Sequence, residues 1–182
     1  MAGDAAAAVG IEPRVGGLSV VHHLSVAWIA LGSNLGQPDQ HVRQAFASLA
    51  DIPGVQLLAR SNLYRSAPVG GPPGQADFCN AAAAVATMLS PFELLTAQNA
   101  IEAEHGRERV QRNGPRTLDL DIISFDSLRM TTQRLTLPHP RAARRAFVLL
   151  PLAEISPALS LGRAGRVIDL CRELDARDME HW

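Results

Sequence analysis

The chain has little cysteine, few aromatics, no excess of either charge and no long apolar run, and each shortage removes a class of protein. Among 182 residues only Cys79 and Cys171 carry thiols, far apart and in neither a metal nor a redox spacing. That speaks against a disulfide framework or a cysteine-held metal and implies a reducing compartment. Seventeen basic residues against 18 acidic leave a net charge of -1, so no global positive field exists to hold nucleic acid. Aromatics at 4% give few platforms on which bases could stack. No apolar stretch reaches the length of a membrane span. Residues 1–25, rich in Ala and Gly, lack the basic start and continuous apolar stretch of a secretory signal. They read as a poorly ordered N-terminal extension, with His22 and His23 as exposed tail residues, ahead of a single domain over 26–182. The expected protein is a cytoplasmic monomer with no nucleic-acid or membrane partner. Neither a Walker sequence nor a Rossmann glycine fingerprint occurs.

What is present is enough apolar residue, 47%, for one substantial core. Residues 26–31 read as a short apolar strand ending in the turn-forming Gly32-Ser33-Asn34. A helix is predicted from Pro38-Asp39, because Val42, Ala45, Phe46 and Leu49 recur at helical spacing until Pro53-Gly54 stops the pattern. A second strand is expected over 55–64, then a loop over 67–76 dominated by Pro68, Gly70, Gly71, Pro72, Pro73 and Gly74. A loop of that length in a small domain is more often functional than idle. Residues 78–88 resume a strand, and Ser90 with Glu93 forms a capping box around Pro91 for a helix that Gly106 should end. After an arginine-rich loop come a strand to Phe125, a turn at Asp126-Ser127, a short strand over 134–137, a helix over 142–150 and a last helix over 167–174. The order strand, helix, strand, strand, helix, strand predicts an α+β ferredoxin-like sandwich, an antiparallel sheet with helices on one face, plus C-terminal additions.

The stretch from Arg112 to Asp121 reads R-N-G-P-R-T-L-D-L-D. On a strand, Thr117, Asp119 and Asp121 share one face while Leu118, Leu120 and Ile122 face a core. Two carboxylates so placed repel by about 2 kcal/mol at an effective dielectric near 20, a cost that bound cations reverse. Taken alone, Asp-x-Asp is often only the solvated face of a sheet. Here Arg107, Arg109, Arg112 and Arg116 precede the pair, and Arg134, Arg141, Arg144 and Arg145 follow it around His139. Guanidinium forks match phosphate oxygens, so arginines converging on an acidic metal site suggest a clamp for a magnesium-bound triphosphate.

Several segments together resemble one family, 6-hydroxymethyl-7,8-dihydropterin pyrophosphokinase of folate biosynthesis. They are I-A-L-G-S-N-L-G at 29–36, Y-R-S-A-P-V-G at 64–70, Q-A-D-F-C-N-A at 75–81, G-P-R-T-L-D-L-D-I at 114–122 and R-L-T-L-P-H-P-R at 134–141. The resemblance implies an ATP-dependent pyrophosphokinase that transfers a diphosphate to the pterin hydroxymethyl group and releases AMP. It implies two Mg2+ ions on Asp119 and Asp121, with Arg107 and Arg116 serving the chemical step. ATP contacts are implied for Asn99, Glu102, Arg109, Arg116, Ile122, Arg134, Thr136, His139 and Arg145. A pterin pocket is implied for Ser66, Ala67, Val69, Phe78, Asn80, Asp119 and Phe147, with the phenylalanines covering the ring faces and Asn80 on its rim. This sequence departs from the family at Asn113, where tryptophan is common, at Asn99, where glutamine is common, and at Ala67, where proline is common. Two other classes fit these residues less well. An RNA-binding module would need exposed sheet aromatics and a basic excess, and an inactive relative would lack a charged residue of the centre.

Overall fold

In a computed structural model, which describes residues 24–107, 114–174 and 179–182, the chain forms the elements that its apolar periodicity demands, with four main differences. Ser25–Ser33 (β1) alternates buried and half-buried positions, so Ser25 already belongs to the fold. The rest of the expected N-terminal extension, with His22 and His23, lies outside the described residues. Pro38–Ala50 (α1) buries Val42, Ala45, Phe46 and Leu49, the four residues of the helical repeat. Pro91–Glu104 (α2) opens on a complete capping box: Ser90 Oγ accepts from the Glu93 amide at 3.3 Å and Glu93 Oε2 accepts from the Ser90 amide at 2.7 Å. It stops where Gly106 turns left-handed at φ 70°.

The first difference lies in the expected strand over 55–64, which is two strands, Val55–Arg60 (β2) and Tyr64–Ser66 (β3), both antiparallel to Phe78–Thr87 (β4). Ser61 makes the break. Its amide donates to the Ala82 carbonyl at 2.9 Å, and its Oγ accepts from the Ala82 amide at 2.9 Å, so a side chain takes the place of a ladder carbonyl. Second, the helix expected over 142–150 begins as a 3-10 turn, Ala142–Arg144, and continues as Ala146–Ile155 (α3) straight through Pro151. Pro151 has no amide hydrogen for the Phe147 carbonyl. Burial of Val148, Leu149 and Leu152 keeps the helix regular enough to pack. Third, the strand over 134–137 shrinks to Thr136–Leu137 (β7), which pairs with an unanticipated Met130–Thr131 (β6).

The sheet runs β5, β1, β4, β3, β8, where β5 is Asp119–Phe125 and β8 is Glu180–His181, and β2 continues the β3 side of β4. Fourth, helices cover both faces rather than one. Ala81, Ala83 and Val85 pack with Leu94, Ile101 and the apolar face of α1, whereas Ala82 and Ile123 pack with Val148, Leu149, Leu152 and with Val167 of α4, Val167–Glu173. The reason lies in β4, nearly all of which is buried, its alanine run letting helices approach from either side. A bulge in β5 serves both layers. Trp28 pairs with Ser124 and Ile29 with Ile122, so Ile123 is the extra residue, facing α3 while Ile122 faces α2.

Candidate active site

β5 is an edge strand, and its first residues carry the acidic pair. Leu118, Leu120 and Ile122 bury their side chains in the α1/α2 core, which turns Asp119 and Asp121 to the opposite face. Two cavities meet at this pair. One, of about 210 Å³, lies between the sheet and the start of α3. β1 gives it Gly32, β3 Ser66, β4 Phe78 and Asn80, the following loop Ala67 and Val69, and α3 Phe147. The other, of about 450 Å³, is walled by Asn99 and Glu102 of α2, by Ile122, and by Arg134, Thr136 and His139. Arg107, Asp119 and Asp121 line both.

The two carboxylates are held differently. Asp119 accepts from Arg107 through Oδ1 and from Arg116 through Oδ2, each at 2.5 Å. Arg107 also pairs with Glu102, whose Oε1 accepts from the Leu120 amide at 2.7 Å and so ties α2 to the strand. Among the described residues, the cationic partner within ion-pair reach of Asp121 is His139, with Nε2 at 4.0 Å from Oδ2. Burial first, and the negative Asp119 second, push the Asp121 carboxyl above the usual carboxylate range; His139, Arg145 and Arg107 pull against them. Burial holds the His139 imidazole below its ordinary value, and Asp121 opposes it. The Asp121 side chain nonetheless leaves 43% of its surface open to the cavity, within reach of a ligand.

The smaller cavity is equally ordered. Asn80 donates through Nδ2 to Ser66 Oγ at 2.9 Å and lies near the Tyr64 and Phe78 carbonyls at 3.4 and 3.3 Å, which fixes its amide and leaves Oδ1 directed toward Gly32. The Arg116 guanidinium lies 5.4 Å over the Phe78 ring, and Arg145 lies 5.4 Å over Phe147. The chain contains no lysine, so apart from histidine every side-chain cation here is a guanidinium fork.

The structure thus gathers the residues of the implied pterin set, Ser66, Ala67, Val69, Phe78, Asn80, Asp119 and Phe147, in the first cavity. It gathers Asn99, Glu102, Ile122, Arg134, Thr136 and His139 in the second. Arg116 and Arg145, expected with the nucleotide, instead line the first, at the side where the acidic pair joins the two. Arg109, Arg112 and Asn113 lie outside the described residues. Sequence reasoning missed Asn34 and Gly32. Asn34 Oδ1 accepts from the Arg116 amide at 2.8 Å, while its Nδ2 donates to the Ala76 carbonyl at 3.1 Å, so one side chain fastens both loops. The turn triplet was visible, but nothing in it named partners 82 residues away.

Comparison with known proteins identifies the family. The family model described as 7,8-dihydro-6-hydroxymethylpterin-pyrophosphokinase (HPPK) matches residues 28–157. The chain belongs to that family. The 2-amino-4-hydroxy-6-hydroxymethyldihydropteridine pyrophosphokinase of Bacillus subtilis is 47% identical over 131 residues, covering 72% of this chain and 78% of its own length. That of Pseudomonas aeruginosa is 46% identical over 134 residues, covering 74% and 82%. Among solved structures, the Plasmodium falciparum HPPK-DHPS with pterin and p-hydroxybenzoate superposes with a TM-score of 0.69 at 13% identity, which shows the fold alone. The match takes in 90% of this chain but only 47% of that one, so this chain spans about half of those HPPK-DHPS chains. As a member of the HPPK family, the chain is an enzyme of the pyrophosphokinase class. No described helix is long and apolar enough to cross a membrane.

Proposed function

We propose that this chain transfers the diphosphate of ATP to the hydroxyl of 6-hydroxymethyl-7,8-dihydropterin, giving the pterin diphosphate and AMP. One observation carries the reading: a small aromatic-walled cavity and a larger polar one share Arg107, Asp119 and Asp121. A flat heterocycle fits the first, between Phe78 and Phe147 with Asn80 Oδ1 on its rim. A nucleotide fits the second, its phosphates reaching the shared residues. The pterin oxygen then attacks the β-phosphorus, the bond from that phosphorus to the oxygen bridging it to the α-phosphate breaks, and AMP leaves with that oxygen. Asp119, held by two guanidinium groups, is a poor base, so the hydroxyl proton passes to water.

The residues present fit magnesium. Asp119 and Asp121 offer hard oxygen donors side by side, and the Asp121 carboxyl, raised by burial first and by the neighbouring Asp119 second, is one that a bound cation would draw back to its charged form. Among the described residues no third His, Cys, Asp or Glu joins them, so water and phosphate oxygens complete the shell, as magnesium prefers. Two such ions, when bound, would neutralise and align the triphosphate. Arg107 and Arg116, which stand at the shared acidic wall beside Asp119, stabilise charge that grows as AMP departs. His139, Arg134 and Arg145 hold the triphosphate; Asn99, Glu102, Ile122 and Thr136 hold the rest of the nucleotide, with Arg109 of the adjoining loop.

The same reading takes residues 26–182 as one ferredoxin-like domain with C-terminal additions, working as a cytoplasmic monomer. Strand order supports the fold: the last core strand, β5, lies beside the first, β1, and β4 separates β1 from β2 and β3. The decisive assay follows AMP from ATP. Formation of AMP that requires both magnesium and hydroxymethyl-dihydropterin is the expected outcome; ADP as product, or AMP formed without pterin, overturns the proposal.

A further inference from the structure

The break between β2 and β3 exposes polar groups that a regular strand would have paired, and one side chain from across the molecule gathers them. Glu154, in the last turn of α3, accepts from the Asn62 amide through Oε1 at 3.1 Å and through Oε2 at 3.0 Å. It also accepts from Asn62 Nδ2 at 2.8 Å and from the Tyr64 hydroxyl at 2.9 Å. No cation pairs with this carboxylate among the described residues, so its bonds all go to the strand break. Tyr64 answers in kind: burial first, then the bond and charge of Glu154, push its hydroxyl up to about 12, which keeps it a donor at any working pH.

What this joins matters more than its strength. Phe147 and Val148, near the start of α3, form one wall of the small cavity, and Ser66, at the end of β3, with Ala67 and Val69, forms another. Tyr64 and Ser66 are two residues apart on β3, and Glu154 is seven residues beyond Phe147 on α3. Ser66 in turn holds Asn80 through its Oγ. Any slide of β3 along α3 therefore alters both the width of the slot and the aim of the Asn80 amide, while leaving the larger cavity, built on α2, β5 and residues 132–140, unchanged.

We propose that Glu154 is a positioning residue for the flat-ring substrate: by tying Asn62 and Tyr64 to α3 it sets the gap between Phe147 and the Ser66–Ala67 wall. The proposal rests on the pyrophosphokinase reading given above. Glu154→Ala is expected to raise the KM for the pterin about tenfold, with the KM for ATP and the kcat per folded molecule within about twofold of the parent. Glu154→Gln keeps Oε1 as an acceptor for the Asn62 amide and Nδ2, loses the amide's second bond at Oε2 and reverses the bond to Tyr64, so it should restore part of the pterin KM. Tyr64→Phe, which removes a single bond, should fall between parent and Glu154→Ala. Equal changes in both KM values, or a lower melting temperature with both unchanged, would mean that Glu154 only stabilises the fold and would overturn the proposal. Amide hydrogen exchange read without substrate separates the two readings. Faster exchange across residues 62–70 in Glu154→Ala supports the clamp even if the parent makes no AMP, and unchanged exchange there refutes it.

Discussion

Asp119 and Asp121 are two residues apart on one strand face, yet one is saturated by guanidinium groups and the other faces a nearly neutral histidine. Asp119→Ala removes the proposed metal donor and the anchor of two arginines. Its kcat is expected to fall about 100-fold or more, with circular dichroism unchanged because the side chain faces the site rather than the core. Asp121 titrates in the opposite sense to a salt-bridged carboxylate. Its pKa is raised by folding, so above the unfolded value the folded chain retains a proton that the unfolded chain has released. Ionised Asp121 thus destabilises the ligand-free fold at neutral pH and has no such effect below the unfolded pKa. Asp121→Asn should therefore melt at a higher temperature than the parent at neutral pH, a gain that disappears at pH below the usual carboxylate range while turnover is lost throughout. Gly32 shows what residue identity hid. Its φ is ordinary for a strand, and a Cβ there would stand 3.5 Å from Asn80 Oδ1 and 4.0 Å from the Phe78 ring, an acceptable contact for the empty protein. Gly32→Ala is expected to fold with parent stability but to raise the pterin KM, because the methyl occupies the cavity floor. In the sequence this glycine reads as a turn former, since the ring-shaped space above it is made by β4, almost 50 residues later.

Among the elements, those with local signals formed where expected. The Ser90–Glu93 box is complete, and Ser90→Ala should cost about 1 kcal/mol, read as a lower denaturant midpoint at constant slope. α1 buries the residues of its repeat for the same reason: an i, i+3, i+4 pattern is a property of consecutive residues. Elements that departed did so through distant partners. β2 ends because Ser61 bonds Ala82, and α3 passes through Pro151 because Val148, Leu149 and Leu152 fill a core supplied by β4, β5 and α4. Alternation in β5 was legible up to Ile122 and failed at Ile123, where the partner strand β1 sets the bulge.

For the whole molecule, two cavities joined at an acidic pair lead, on the proposed reading, to nucleotide binding that depends on metal. Magnesium with ATP at about 100 times its Kd should add about 2.7 kcal/mol to stability. A thermal-shift titration is expected to show a rise in melting temperature that a chelator abolishes and that Asp119→Ala no longer displays. ATP with chelator raising the parent's melting temperature as far as magnesium with ATP does would contradict the shared metal site. Packing on both sheet faces is what makes this arrangement possible. The α1/α2 layer supplies the polar cavity through Glu102 and Asn99, and the α3 layer supplies the aromatic one through Phe147.

From its order of residues alone, this chain already specifies the paired aspartates on one strand face, the arginines around them, the capped second helix and the motifs that mark its family, because each is written within a few consecutive positions. Folding in three dimensions decided the rest: that helices cover both sheet faces, that Asn34 fastens Arg116 and Ala76, that Glu154 reaches Asn62 and Tyr64, and that two cavities share one acidic wall. Those contacts join residues dozens of positions apart, and their energies exist only after the sheet has closed and brought the partners together.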